Sequence, residues 1–173
     1  MSSQDQGDGS VLTTLFRHNI WANVKLLDFC QKLSEEQLDA TGIGCYGPIH
    51  GTLLHIIGAE VSYVRRFNGR QPPRPFARDQ FPGFDVLRDA AHWSGQELLA
   101  MALAARTDTM VEEHAHGKRE IYPLPGLILQ SLTHSTEHRT QISAIITQLG
   151  MEPPDMSGWC YIDEMGQIKE FDA

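Results

Sequence analysis

The stretch Leu127-Ile128-Leu129-Gln130-Ser131-Leu132-Thr133-His134-Ser135-Thr136-Glu137-His138-Arg139 carries apolar residues at helical spacing and two histidines four residues apart. The period continues through Ile142, Ile145, Ile146 and Leu149. It predicts a long helix that Pro125 opens and that Gly150 and Pro153-Pro154 end. The i, i+4 spacing puts both imidazoles on one face, roughly 6 Å apart at Cβ, which suits a shared metal ion. The pair lies at the edge of the apolar stripe, flanked by Ser131 and Gln141. Histidines at a core border are costly unless each ring is satisfied. Either the two share a metal, or each bonds separately to a carbonyl or to water.

Three more long helices precede this one. The first runs from about Ser10 to Leu33, with Val11, Leu15, Ala22, Leu26, Phe29 and Leu33 on one stripe. Asn19 and Asn23 fall inside that stripe, and buried amides need partners, so they tie this helix to a neighbour or to the tail. Ser34-Glu35-Glu36-Gln37 reads as a capping box that starts a short helical turn. A glycine-rich loop, 41–47, leads to Pro48, placed to open a second helix that ends at Asn68-Gly69. Its core positions are Ile49, Leu53, Ile56, Ile57, Val64 and Phe67. Gln71 to Pro82 holds four prolines and is an irregular connection. Asp85 is placed to cap a third helix to about Ala105, with Leu87, Ala91, Leu98, Met101 and Ala105 inward. From Thr109 to Tyr122 the pattern changes, and Gly117-Lys118 can turn a short hairpin. The tail, 155–173, carries Trp159 and Tyr161 and should pack back on the helices, because two large aromatics are costly to leave in water. The expectation is an all-α four-helix bundle, one domain over 1–173, with a flexible N-terminus over 1–10 and a hairpin before the last helix.

The 173 residues include 14 Lys and Arg against 22 Asp and Glu, a net charge of −8. That balance argues against nucleic-acid binding, which needs a basic face, and against anionic membrane surfaces. No apolar run approaches a membrane span, and Met1 to Ser10 is polar rather than a signal peptide. Cys30, Cys45 and Cys160 are scattered, with no CxxC, which disfavours a disulfide scaffold or a cysteine zinc site. The chain reads as soluble and cytoplasmic.

His55 on the second helix has only small neighbours on its face, namely Gly51, Thr52, Gly58, Ala59 and Ser62. Such a stripe either lets another helix approach or leaves a cavity around the ring. If the second and fourth helices are neighbours, His55 can point at His134 and His138, making an open three-histidine site. Otherwise it is a satisfied core residue. His18 and His50 suit a surface or supporting role, and His92 faces solvent. His114 and His116 alternate as strand neighbours would. Glu113-x-x-His116 is half of a di-iron pattern whose second half is missing. HExxH, GxSxG, P-loop and GxGxxG sequences are absent. Arg139, inside the fourth helix's stripe, must meet a buried acid or carbonyls.

In three stretches the chain resembles the DinB/YfiT family of bundle metalloenzymes, the DNA-damage-inducible family (unrelated to the polymerase sharing the name). They are Phe16-Arg17-His18-Asn19-Ile20-Trp21-Ala22-Asn23, Leu53-Leu54-His55-Ile56, and His134-Ser135-Thr136-Glu137-His138-Arg139-Thr140-Gln141. Pro153-Pro154-Asp155 also looks like that family after its last helix. Thr140 departs from the glycine more usual there. The resemblance implies a divalent metal, zinc or nickel, on His55, His134 and His138, and a homodimer. It also implies, from some relatives, transferase or isomerase chemistry with a low-molecular-weight thiol.

Two functions are compatible with this reading. One is a metal-dependent enzyme acting on a small molecule, with His18, His50 or Glu60 as acid or base; an open site would activate water or a thiol. The other is a non-catalytic metal- or ligand-binding bundle linked to stress. Trp21, Tyr63 and Phe67, outside or at the margin of the assigned stripes, are candidates for a dimer interface.

Overall fold

The computed structural model describes residues 10–115 and 117–171. The expected N-terminal flexibility therefore falls, apart from Ser10, outside the described residues, as does His116. The chain is mostly helical, in the order α1 (Val11–Cys30), α2 (Glu35–Leu38), α3 (Ile49–Asn68), α4 (Phe84–Ala104), β1 (Met110–Ala115), β2 (Lys118–Pro123), α5 (Leu124–Gln148) and α6 (Gly158–Glu164). No described helix is long and apolar enough to cross a membrane.

Local signals set the ends. Ser10 caps α1 by accepting from the Thr13 N–H at 3.1 Å. Ser34 and Gln37 form the reciprocal capping box of α2. Gly69 stops α3 with φ of 74°, a left-handed conformation that glycine adopts without Cβ strain. Pro48 is the cap of α3 and not its first helical residue, and the cap of α4 is Gly83, with Asp85 in the first turn. Asp85 instead pairs with Arg88. The hairpin forms as expected: β1 and β2 are antiparallel, pairing Val111 with Tyr122 and Ala115 with Lys118.

Helices α1 and α3 each pack along both α4 and α5. The approach of α1 to α4 depends on Gly95, where a Cβ would lie 2.2 Å from Ile20 Cγ1. The apolar core divides into two clusters. One gathers Leu26, Leu27, Ile49, Leu53, Ile57, Leu87, Ile142 and Ile145. The other gathers Phe16, Val64, Leu98, Met101, Val111, Leu124 and Leu127.

Between them in the sequence of every long helix lies a polar residue that joins one buried network. Glu60 accepts hydrogen bonds from Asn19 (2.8 Å), Asn23 (2.9 Å), Ser94 (2.9 Å) and Ser135 (2.8 Å). The Arg139 guanidinium donates to the Asn19 and Asn23 side-chain oxygens at 2.7 and 2.6 Å, and to Thr136 at 3.0 Å. The two asparagines therefore do tie α1 to its neighbours. Arg139 meets amide oxygens, with the acid one bond further on. Burial lowers Arg139 to about 10, against the raising influence of Glu60, so it stays cationic at neutral pH.

The network explains the errors in the assigned stripes. The buried face of α1 is centred on Asn19, Asn23 and Cys30, so Val11 (78 % exposed) and Leu15 (47 %) lie off it. An apolar-only stripe leaves out polar residues whose partners make burial tolerable. Phe67 and Leu149, at helix ends, are also exposed, whereas Tyr63 is buried. The tail packs on α1 through Tyr161, whose ring lies 5.5 Å from His18 and 5.3 Å from Trp21, while Trp159 stays 77 % exposed. Glu164 fastens it by accepting from Trp21 Nε1 and Lys25 Nζ.

Candidate metal centre

The packing of α3 against α5 brings His55 to His134 and His138. One nitrogen from each ring lies within 4.8 Å of the others. His134 Nε2 and His55 Nε2 are 2.9 Å apart. Ring centroids are separated by 4.7 Å for His55–His134 and His55–His138, and by 4.5 Å for His134–His138. All three are half-buried. Two donors on one zinc ion lie at most about 4.2 Å apart, twice a bond of ~2.1 Å, so the cluster is within a small side-chain adjustment of a shared ion.

The protonation pattern suits a cation. Gln141 Oε1 accepts from the Tyr46 backbone N–H at 3.1 Å and contacts His138 Nδ1 at 2.8 Å. Because the backbone group can only donate, the oxygen faces both, and His138 carries its proton on Nδ1. Its Nε2 lone pair is thereby left free for a metal. Burial pushes His55 down to about 4, assisted by the charges of His134, His138 and Arg78. Burial also lowers His134, which is further lowered by His138 and Arg78 and raised by Glu137. Both are neutral imidazoles at pH 7, the form that ligates. His134 Nδ1 is buried with no hydrogen-bond partner. Three gathered imidazoles with an unsatisfied buried nitrogen among them fit a divalent metal: these three histidines can hold one.

Tyr46 stacks on His55 with centroids 3.9 Å apart and rings 18° from parallel, and lies 5.2 Å from His138. Tyr63 meets His134 edge-on at 6.2 Å. The sequence does not reveal Tyr46, because a loop has no period from which a facing direction can be read.

The other candidates are committed elsewhere. His18 Nε2 lies 2.9 Å from the Met156 carbonyl. His50 Nδ1 lies 3.1 Å from both the Leu38 carbonyl and Asp39. Glu60 is fully buried in the network. His92 is exposed as expected, and His114 pairs with Glu112 on the hairpin. The small stripe around His55 is helix packing more than cavity: Thr52, Ala59 and Ser62 are buried, and Arg78 fills the space over Gly58. A groove of about 640 Å³ opens instead along the outer face of α1, lined by Trp21, Lys25 and Tyr161, and none of the three histidines lines it.

A search of the curated proteins returned no match. The family model described as the DinB family matches residues 1–170, essentially the whole chain. On that match, with its long packed helices and its three-histidine cluster, the chain belongs to the DinB family.

Proposed function

We propose that this chain is a divalent-metal-dependent enzyme acting on a small molecule at His55, His134 and His138. The fold we assign is a single-domain four-helix bundle over 1–173. The observation that carries the reading is the gathering of three imidazole nitrogens within 4.8 Å on two separate helices. When bound, a metal such as zinc or nickel supplies Lewis acidity and makes water or a thiol nucleophilic at neutral pH. Gln141 orients His138, the Tyr46 ring shields one face of His55 from solvent, and Ser135 and Arg139 lock α5 in the rotation that points the pair at α3. The reaction classes we favour are thiol-dependent S-transfer and isomerisation. Metal analysis of wild-type, His55→Ala and His134→Ala proteins tests the site. One ion per chain in the first and loss in both variants is expected, and unchanged stoichiometry in both would refute it.

The second reading, a non-catalytic metal- or ligand-binding bundle, is favoured by the engagement of His18, His50 and Glu60 in bonds away from the cluster. An activity screen of metal-loaded protein with several low-molecular-weight thiols separates the two. We also propose a cytoplasmic homodimer. Free thiols at Cys30, Cys45 and Cys160 suit a reducing compartment, and the partly exposed Phe67 on α3 suits an interface. Light scattering at tens of micromolar should give a dimer mass; a monomer mass counts against it.

A further inference from the structure

The connection between α3 and α4 contains Arg78, which no pattern in the sequence singles out. Arg66, Arg70, Arg74, Arg88 and Arg106 each pair with a carboxylate. Arg78 is exposed and has no hydrogen bond or ion pair among the described residues. Its side chain is nevertheless seated against α3. A Cβ added at Gly58 would lie 3.2 Å from Arg78 Nε, 3.6 Å from Cγ and 3.8 Å from Cδ. Gly58 follows His55 by one helical turn, so its missing side chain lets the arginine lie along the helix beside the histidine cluster. Residues three apart on a helix stand about 5–6 Å apart at Cβ, so Arg78 Nε lies alongside His55 on the surface of α3.

A divalent metal held by the three imidazoles would keep its full charge, because no carboxylate is among the ligands. A guanidinium beside it adds repulsion unless an anion lies between the two. An anion placed there is attracted from both sides. A single guanidinium offers one planar fork, which matches a carboxylate in two parallel hydrogen bonds, whereas phosphate sites gather several donors. We propose that Arg78 is the anion-recognition residue of the three-histidine site and that the substrate is a small molecule bearing a carboxylate. The guanidinium holds the carboxylate while the reactive end of the substrate faces the histidines. This rests on the histidines holding a metal.

The test uses wild-type, Arg78→Gln and Arg78→Lys proteins loaded with cobalt(II), with metal content measured in parallel. Each is titrated with 3-mercaptopropionate and with its neutral isostere 3-mercaptopropionamide, and binding is followed by the cobalt–thiolate absorption. The wild type should bind the acid roughly tenfold or more tightly than the amide, the scale of charge-assisted hydrogen bonds. Arg78→Gln should erase that preference with cobalt content and amide affinity unchanged, and Arg78→Lys should keep part of it. A loaded wild type that binds acid and amide equally, or an Arg78→Gln protein that keeps the preference, overturns the role of Arg78 and leaves the metal reading standing. A wild type that takes up no cobalt overturns the metal reading and this proposal together.

Discussion

Replacing Arg139 with Met keeps most of the side-chain volume and removes the guanidinium from the layer that joins all four long helices. Arg139 is 4 % exposed and Glu60 fully buried, so solvent cannot take over the lost contacts. The Asn19 and Asn23 side-chain oxygens lose their shared donor, and Glu60 keeps a charge with no buried cation to balance it. Removing one member of a buried charged set costs roughly 3–5 kcal/mol. At roughly 2–4 °C per kcal/mol for a chain of this length, the melting temperature should fall by about 6–20 °C. Glu60→Gln should also destabilise, since it strands the Arg139 charge and turns an amide N–H toward a group that now donates. Because each single change leaves the other charge buried and unpaired, the Arg139→Met/Glu60→Gln double variant should lose clearly less than the sum of the two. Urea denaturation followed by circular dichroism, with chelator present throughout, measures all three without a contribution from bound metal. An Arg139→Met cost below about 1 kcal/mol, or strict additivity in the cycle, would show that the layer is not a coupled charged unit.

Two further outcomes follow from the histidine cluster. A metal that binds only the folded chain adds roughly 4 kcal/mol at a thousandfold excess over Kd, on the order of ten degrees of melting temperature. Chelation should therefore lower the melting temperature of purified protein and leave it folded at room temperature, because the two apolar clusters are built without the ion; complete unfolding would make the site structural. In chelated protein, burial holds His55 at about 4 and lowers His134 and His18, against about 6.5 for each in the unfolded chain. As pH falls below about 6.5 the unfolded chain takes up protons first, so this contribution is complete above that value and is lost toward pH 4. Melting temperatures across that range should decline with acidity, less steeply in His55→Gln; equal slopes would remove His55 from the account.

Much of this protein was legible in one dimension. The four long helices, their order and approximate ends follow from the 3.6-residue period of Leu53, Ile56 and Ile57, of Leu127, Ile128 and Ile142, and from Ser34, Gly69 and Pro125 acting through backbone geometry, whereas the short α6 in the tail was not expected. The pairing of His134 with His138 is a property of helical spacing alone. Their meeting with His55 is not: 79 residues separate it from His134, and only the packing of α3 on α5 brings their ring nitrogens to 2.9 Å. The facing direction of α1 was likewise settled in three dimensions, because Asn19 and Asn23 are buried only where Glu60 and Arg139 stand ready to bond them. Tyr46 and Arg78 come from loops, where no period ties sequence position to direction, and their places beside the histidines depend on anchors elsewhere: Gln141 for Tyr46 and the bare surface of Gly58 for Arg78. Periodic elements announce their buried face locally, through burial of apolar area. Polar partnerships and loop placements depend on which distant groups are within hydrogen-bonding reach, and the tertiary structure decides that.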